Sequence, residues 1–372
     1  MKKLNLLFIC CFLIIISLPL IFMDHETTVS EKENRVLAVL PKLLLKERDG
    51  KIEIENIRDI PQSFDNYIND RFGFRNSIIS LVNNFNKTSK IIDGHVVKGK
   101  DNWLFYSRPD DGNNIGDFFK VNLFTDAEIE QFIENIRKRL EWCNKNNIKF
   151  IFLIAPNKHN VYPEYYPFVR PKGITRTGQV MAHLPIDLKD TIIYPLDYIT
   201  KNKTHDIPLY FETDTHWNMG GAYCAFQILS NHFKQLFPDI NFQEIQFITD
   251  IGFDSSGDIV KMLNLENYGK RTIPNIRPVA GWDSYYEYIK NEGKNGIITN
   301  NNDQLLPKAI IFRDSFFSAL EPFVSTQFSS VEYNGRWFNE ADKNYILENK
   351  PDIIIWEVVE RSISGIPYSI WN

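Results

Sequence analysis

Residues 125–159, TDAEIEQFIENIRKRLEWCNKNNIKFIFLIAPNKH, place a helix signal directly before a strand signal. Thr125 and Asp126 are helix-capping types, and Ile129, Phe132, Ile133, Ile136, Leu140 and Cys143 recur at a 3.6-residue period, which predicts an amphipathic helix to about Asn146. Phe150 to Ala155 follows as an unbroken apolar run, the mark of a strand buried on both faces. The alternation continues along the chain. Further strands are predicted at Ile192–Tyr194, Leu209–Phe211, Ala309–Phe312, Phe328–Tyr333 and Ile353–Val359, with an amphipathic helix from Met219 to about Phe237. Short, continuously apolar strands alternating with helices specify an α/β fold, a doubly wound and mostly parallel sheet covered on both faces.

Upstream the pattern changes. Lys2 and Lys3 precede an apolar run from Leu4 to Met23, interrupted only by Asn5, Ser17 and Pro19, about the length that spans a bilayer core. Leu20, Ile21, Phe22 and Met23 offer no small-residue cleavage site, so residues 1–23 read as a retained transmembrane signal anchor. The two lysines favour a cytoplasmic N-terminus, which predicts a single-pass cell-membrane protein with everything after Asp24 outside. Residues 24–95 read as a tether, with an apolar patch at Val36–Leu45, and then a helical extension. In that extension Phe64, Tyr67, Ile68 and Phe72 hold helical spacing up to Gly73, and a second helix is predicted from Asn76 with Ile78, Ile79, Leu81, Val82 and Phe85 on one face. Residues 96–372 are the main domain, opening on a predicted hairpin, Val96–Tyr106, split at Gly99–Asn102.

Charge narrows the partners. The 42 Lys and Arg are dispersed among 47 Asp and Glu, for a net charge of -5. That provides no basic field to neutralise phosphates and argues against nucleic acid as a partner. Cys10 and Cys11 lie in the anchor; Cys143 and Cys224 are compatible with either a disulfide or two buried thiols.

In parallel sheets the ligand site lies beyond the carboxyl ends of the strands. Three polar clusters fall there: Pro156-Asn157-Lys158-His159, Glu212-Thr213-Asp214-Thr215-His216-Trp217 and Arg313-Asp314-Ser315. Ser315, at a strand-to-loop turn, is the candidate nucleophile, with its own N–H as an oxyanion donor. His216 is the candidate general base, and Asp214, two residues earlier on the same side of an extended segment, would orient it. Trp217 would wall the imidazole from water, Asn157 is a candidate oxyanion donor, and Arg313 either touches substrate or pairs with a carboxylate such as Glu357 or Glu360. His159, His183 and His205 read as surface residues. This chemistry needs neither metal nor cofactor. Two other readings stay open: a metal site in which Glu212, Asp214 and His216 line one face with His159 as a further ligand, and a catalytically silent binding or assembly protein.

Several short motifs occur together in one order: Glu33-Asn34-Arg35, Asn69 to Arg75 (NDRFGFR), Gly99-Lys100 with Trp103 to Tyr106, Pro156-Asn157-Lys158, Asp214-Thr215-His216-Trp217, Gly257-Asp258, Arg313 to Phe316 and Val358 to Arg361. In these the chain resembles the SGNH-hydrolase-like domain family of the alginate O-acetyltransferase (AlgX/AlgJ) type, including relatives named for a DHHW motif. The resemblance implies a circularly permuted catalytic domain in which Asp and His precede the serine. It also implies O-acetylation of an extracytoplasmic polysaccharide through an acetyl-serine, with acetyl relayed by a membrane-bound O-acyltransferase partner. Acetyl release by the same residues, an esterase, remains the close alternative. One departure is Thr215, which stands where the fuller DHHW pattern has its first histidine and so removes an imidazole from any metal set.

Overall fold

The apolar runs pair as their composition dictates. In the computed structural model, seven strands form the main sheet, numbered here along the chain: β1 Lys149–Ala155, β2 Ile192–Ile193, β3 Glu287–Glu292, β4 Asn295–Thr299, β5 Lys308–Phe312, β6 Ser330–Asn334 and β7 Ile353–Val359. Their order is β3-β4-β6-β5-β7-β1-β2. The stretch β6-β5-β7-β1-β2 is parallel throughout, and the β3–β4 hairpin joins the β6 edge antiparallel. The structure describes residues 2–30, 35–43, 45–48, 51–54, 56, 58–75, 77, 91, 92, 94–204, 208–242, 244, 247–254, 257–263, 265, 271–278, 287–292, 295–299 and 305–371.

Period-two alternation along each strand sends side chains to two separate cores. On one face Ile151, Leu153, Ala309, Ile311, Ile353 and Ile355 cluster with Ala222, Phe226, Leu229 and Phe233 of the Met219–Leu236 helix. On the other, Phe150, Phe152, Ile310, Phe312, Ile354 and Trp356 cluster with Ile129, Phe132, Ile136 and Cys143 of the Asp126–Lys145 helix. Both faces are thus covered, as the continuous apolar runs require. The Asp126–Lys145 helix begins with a reciprocal cap in which Thr125 accepts from the Glu128 N–H and Glu128 accepts from the Thr125 N–H. Cys143 and Cys224 are buried free thiols in opposite cores, so the sheet between them rules out their disulfide.

One predicted strand is absent. Leu209–Phe211 makes only an isolated bridge, Tyr210 to Trp217, and joins no sheet. Leu209, Tyr210 and Phe211 commit backbone groups locally: the Leu209 N–H donates to the Tyr162 hydroxyl (2.8 Å), the Leu209 carbonyl accepts the Asn218 N–H (3.0 Å) and the Phe211 N–H donates to the His216 carbonyl (3.2 Å). Their hydrophobicity serves burial instead, with the Tyr210 ring in the core and its hydroxyl donating to the Pro156 carbonyl at 2.7 Å. The predicted hairpin does form, as Val96–Lys98 and Leu104–Tyr106.

The chain divides into two compact units, residues 90–259 with 269–372, which hold the sheet, and residues 1–89 with 260–268. In the second unit Lys2–Ile21 is helical and Ile60–Arg71 forms the first predicted helix of the extension. Gly73 approaches the Pro19 and Phe22 carbonyls so closely that a Cβ would stand 2.7 and 2.6 Å from them, and its N–H donates to Pro19 at 2.9 Å. The segment read as a tether contains two short antiparallel pairs, Val29–Ser30 with Arg35–Val36 and Leu45–Arg48 with Lys51–Ile54. The Arg71 guanidinium ties part of it down through the Asp24, Thr27 and Ala38 carbonyls. A lone arginine donating to carbonyls far back in the chain leaves no periodic signal, which is why this segment reads as unstructured. The predicted helix from Asn76 through Phe85, apart from Ser77, and Glu33-Asn34 and His205 lie outside the described residues. Among the described residues no helix is long and apolar enough to cross a membrane; the side chains of residues 2–7, 10, 11, 15 and 16 are not among them.

Candidate active site

Strand β5, held between β6 and β7, delivers the serine. Just past its end the Arg313 N–H donates to the Asn334 carbonyl (2.9 Å) and the Asp314 N–H to Glu357 Oε2 (3.0 Å). Asp314 Oδ1 accepts the Phe316 N–H at 2.8 Å, capping the short 3-10 turn Ser315–Ala319, while Oδ2 accepts the Val359 N–H at 2.6 Å. Asp314 therefore clamps the turn to β7 and leaves Ser315 exposed at its start.

The histidine arrives differently, on the irregular loop after Tyr210. His216 Nε2 lies 2.7 Å from Ser315 Oγ, and His216 Nδ1 lies 2.6 Å from Asp214 Oδ1. With Nδ1–H donating to the carboxylate, Nε2 is free to accept the serine proton. The loop is bent, and the His216 N–H also donates to Asp214 Oδ1 at 3.0 Å. The i, i+2 pair is thus closed by a local turn rather than by the shared face of an extended strand. Burial raises the Asp214 carboxyl, but its hydrogen bond to and attraction by His216, with the N–H groups of Asp258 and His216, outweigh burial and hold it below the ordinary carboxylate range. Burial lowers His216, yet the Asp214 hydrogen bond and charge, with Asp258, raise it on balance.

Two residues that hold this loop escaped sequence reading. Lys158 is buried, lies over the Trp103 and Phe105 rings, and donates to three carbonyls, Phe211 (3.0 Å), Glu212 (3.1 Å) and Asp214 (2.5 Å). Asp258 donates its N–H to Asp214 Oδ2 at 2.8 Å and accepts the Thr215 N–H (2.7 Å) and hydroxyl (2.5 Å). A Cβ on Gly257 would overlap the Thr213 carbonyl, so only glycine permits this approach. The signals were present as Pro156-Asn157-Lys158 and Gly257-Asp258, but neither short motif says what it touches.

The remaining candidates fall in several places. Trp217 is fully buried and its indole N–H donates to the Phe316 carbonyl at 2.7 Å, so it ties the histidine loop to the serine turn rather than facing substrate. Arg313 pairs with Glu321 at 2.8 Å, neither with Glu357 nor with Glu360. Glu360 instead accepts from the Asn157 N–H, Asn160, Thr177 and Tyr194, a buried hub behind β7. Asn157 is buried with Nδ2 unpartnered among the described residues, and with Thr215, His159, Asn114 and Arg361 it lines a small cavity. His159 is buried, not superficial, and burial with the Arg170 and Arg361 charges pushes it down to about 3, which keeps it neutral. Among the described residues the group close enough to share a metal is Asp214, His216 and Asp258, and it includes neither His159 nor Glu212. The carboxylates there accept N–H and O–H donors from His216, Asp258 and Thr215.

A family model described as "SGNH hydrolase-like domain, acetyltransferase AlgX" matches residues 96–294, a stretch that contains Asp214 and His216 and ends before Ser315. Among curated relatives, the probable alginate O-acetylase AlgJ of Pseudomonas syringae pv. tomato is 25% identical over 196 residues, 50% of this chain and 48% of that protein. An uncharacterized protein, MJ1544, of Methanocaldococcus jannaschii is 33% identical over 92 residues, 24% of this chain and 21% of that one. The chain thus spans about a fifth to about half the length of these relatives. Among solved structures, Bacillus cereus PatB1 with a sulfonyl adduct superposes with a TM-score of 0.53 at 18% identity, covering 74% of this chain and 97% of PatB1.

Proposed function

This chain belongs to the family of SGNH hydrolase-like domains of the AlgX acetyltransferase type, and from that premise we propose that it is an O-acetyltransferase acting on a cell-envelope or secreted polysaccharide through an acetyl-Ser315 intermediate. The observation that supports this most is the unbroken chain from Asp214 through His216 to Ser315, with links of 2.6 and 2.7 Å. Ser315 Oγ attacks the acetyl carbonyl of the donor while His216 Nε2 takes the hydroxyl proton. The bond to the leaving group then breaks, and His216 returns the proton to that group. A polysaccharide hydroxyl attacks the acetyl-serine in the second half, its proton passing through Nε2 to Ser315 Oγ as the ester bond breaks. The Ser315 N–H and Asn157 Nδ2 are the donors we assign to the oxyanion. The similarity to a probable alginate O-acetylase favours a polysaccharide acceptor.

Membrane anchoring through residues 1–23 is part of the same proposal. It rests on Lys2 and Lys3, the apolar run to Met23, and a 20-residue helical backbone at Lys2–Ile21, which is about 30 Å long. An anchored, extracytoplasmic domain would sit beside a membrane-bound O-acyltransferase that relays acetyl to it. A reporter fused after Asn372 should then be active only outside the cytoplasm.

The deciding experiment incubates the full-length protein with an activated acetyl ester. One acetyl mass should appear on the peptide containing Ser315 and be missing in Ser315→Ala. Added acceptor oligosaccharide should discharge it faster than water does. Ser315 is exposed, which favours hydrolysis as the second reading; discharge to water alone, whatever the acceptor, establishes an esterase. No acetylated peptide under any condition leaves a polysaccharide-binding or assembly protein.

A further inference from the structure

His216 is gripped from two sides, and only one of them belongs to the Asp-His-Ser chain. Asp214 holds Nδ1 directly. Asp258 Oδ2 stands 3.6 Å from the same nitrogen, and the Thr215 hydroxyl, which donates to that oxygen at 2.5 Å, has its own oxygen 3.1 Å from Nδ1. Asp258 also fixes the first carboxylate by donating its N–H to Asp214 Oδ2 at 2.8 Å, and its Oδ1 accepts the Thr215 N–H at 2.7 Å. The close approach of Gly257 to the Thr213 carbonyl brings these groups together from separate segments of the chain. Every polar atom of Asp258 named here is thus committed to the residue before, at or after Thr215. A surface acid of no consequence for the imidazole would not be built this way.

We propose that Asp258 is a positioning residue for His216, closing with the Thr215 hydroxyl a second carboxylate clamp on the Nδ1 edge that stabilises the imidazolium as it forms. The inference rests on His216 acting as the base of the proposed reaction. The charged groups that act on the imidazole are Asp214 and Asp258, which favour its cationic form, and Arg361, which opposes it. Lys158 donates to the Phe211, Glu212 and Asp214 carbonyls of the loop. A carboxylate within about 4–6 Å raises a histidine by roughly one unit or more, and one unit is about tenfold in an equilibrium constant.

Asp258→Asn removes the charge and keeps an acceptor for the Thr215 N–H, while the amide nitrogen that replaces Oδ2 no longer accepts the Thr215 hydroxyl. In the full-length protein, kcat for acetyl transfer should fall about tenfold with KM little changed. The acid limb of the pH profile reports loss of the neutral base, and it should move to lower pH by about one unit, because the variant imidazole gains a proton less readily. A merely structural residue would leave that limb in place. Thr215→Val, which removes the hydroxyl that fixes Asp258 Oδ2, should move it the same way by less, and Thr215→Ser should restore it. The His216 ring should also be titrated directly by NMR in histidine-labelled protein, a readout that needs no turnover. A midpoint lowered in Asp258→Asn supports the clamp even if no acetyl transfer is found, which would be a failure of the functional reading alone. An unchanged midpoint, with an unchanged acid limb wherever turnover is measurable, overturns it.

Discussion

The serine and the histidine reach the same point by opposite means. Ser315 sits at the end of β5, whose neighbours β6 and β7 fix it on both sides and whose side chains fill two cores. His216 sits on a bent loop with no ladder of its own, held by Lys158 from one direction, Asp258 from another and the Trp217 indole, which donates to the Phe316 carbonyl of the serine turn. A strand end inherits its position from hydrophobic burial, which is redundant. A loop inherits it from a few polar contacts, each of which is separately breakable.

The largest effects should come where the two regions meet. Ser315→Ala and His216→Ala should each reduce acetyl transfer on the order of ten-thousand-fold or more, and the double variant little further, because the pair acts as one unit. Asp214→Asn should cost on the order of ten-thousand-fold by presenting the wrong tautomer. Additive losses in the Ser315 and His216 double would mean that the two residues serve separate steps.

Next comes the loop alone. Lys158→Met deprives three carbonyls of a shared buried donor, and a buried unsatisfied group costs about 1–3 kcal/mol. The loop should shift, with a loss on the order of a hundredfold in kcat. Lys158→Arg should not rescue, since a planar fork cannot replace a compact ammonium among three carbonyls and two rings. Parallel kinetics and thermal melts of both variants check this, and an arginine variant with full activity would sink it. The strand side should answer differently. Ile311→Val, in β5 and fully buried, should cost about 1 kcal/mol of stability while kcat stays within about twofold.

The same contrast explains what was legible in the sequence. Phe150–Ala155 and Ile353–Val359 announce buried parallel strands because burial on both faces demands unbroken apolar runs, and Thr125 with Glu128 announces a helix start by a local cap. The β3–β4 hairpin went unseen because EYIKNE and NGIIT mix polar with apolar residues and hold no unbroken apolar run. Ser315, His216 and Asp214 could be named from residue type and order. What Lys158 and Asp258 hold could not, since their partners stand 53 to 56 and 43 to 44 positions away and no periodicity records such a contact. Leu209–Phe211 misled for the converse reason, its apolar content burying Leu209 and Tyr210 in the core without a ladder.

The smallest expected effect separates holding the base from holding the fold. Burial and the nearby Asp214 charge raise the Asp258 carboxyl to about 6, against an ordinary value of 3.8. A carboxyl raised on folding contributes stability that is fully present below its unfolded value and lost as pH rises through the folded one, so Asp258 should weaken the fold between about pH 4 and pH 6. Asp214, held low, works the other way, contributing stability above pH 3.8 that is lost as pH falls further. Ionised Asp258 at neutral pH is therefore a charge kept at some expense to the fold, as sites that stabilise a transition state often require. Asp258→Asn should melt a few degrees higher than the parent at pH 7, where about 1 kcal/mol is worth roughly 2–4 °C, and the difference should vanish by pH 4. Thermal melts across that range measure it. Equal melting temperatures at both pH values would remove the cost, and a variant less stable at pH 7 would make Asp258 a contributor to the fold, no longer a residue whose charge is retained for His216.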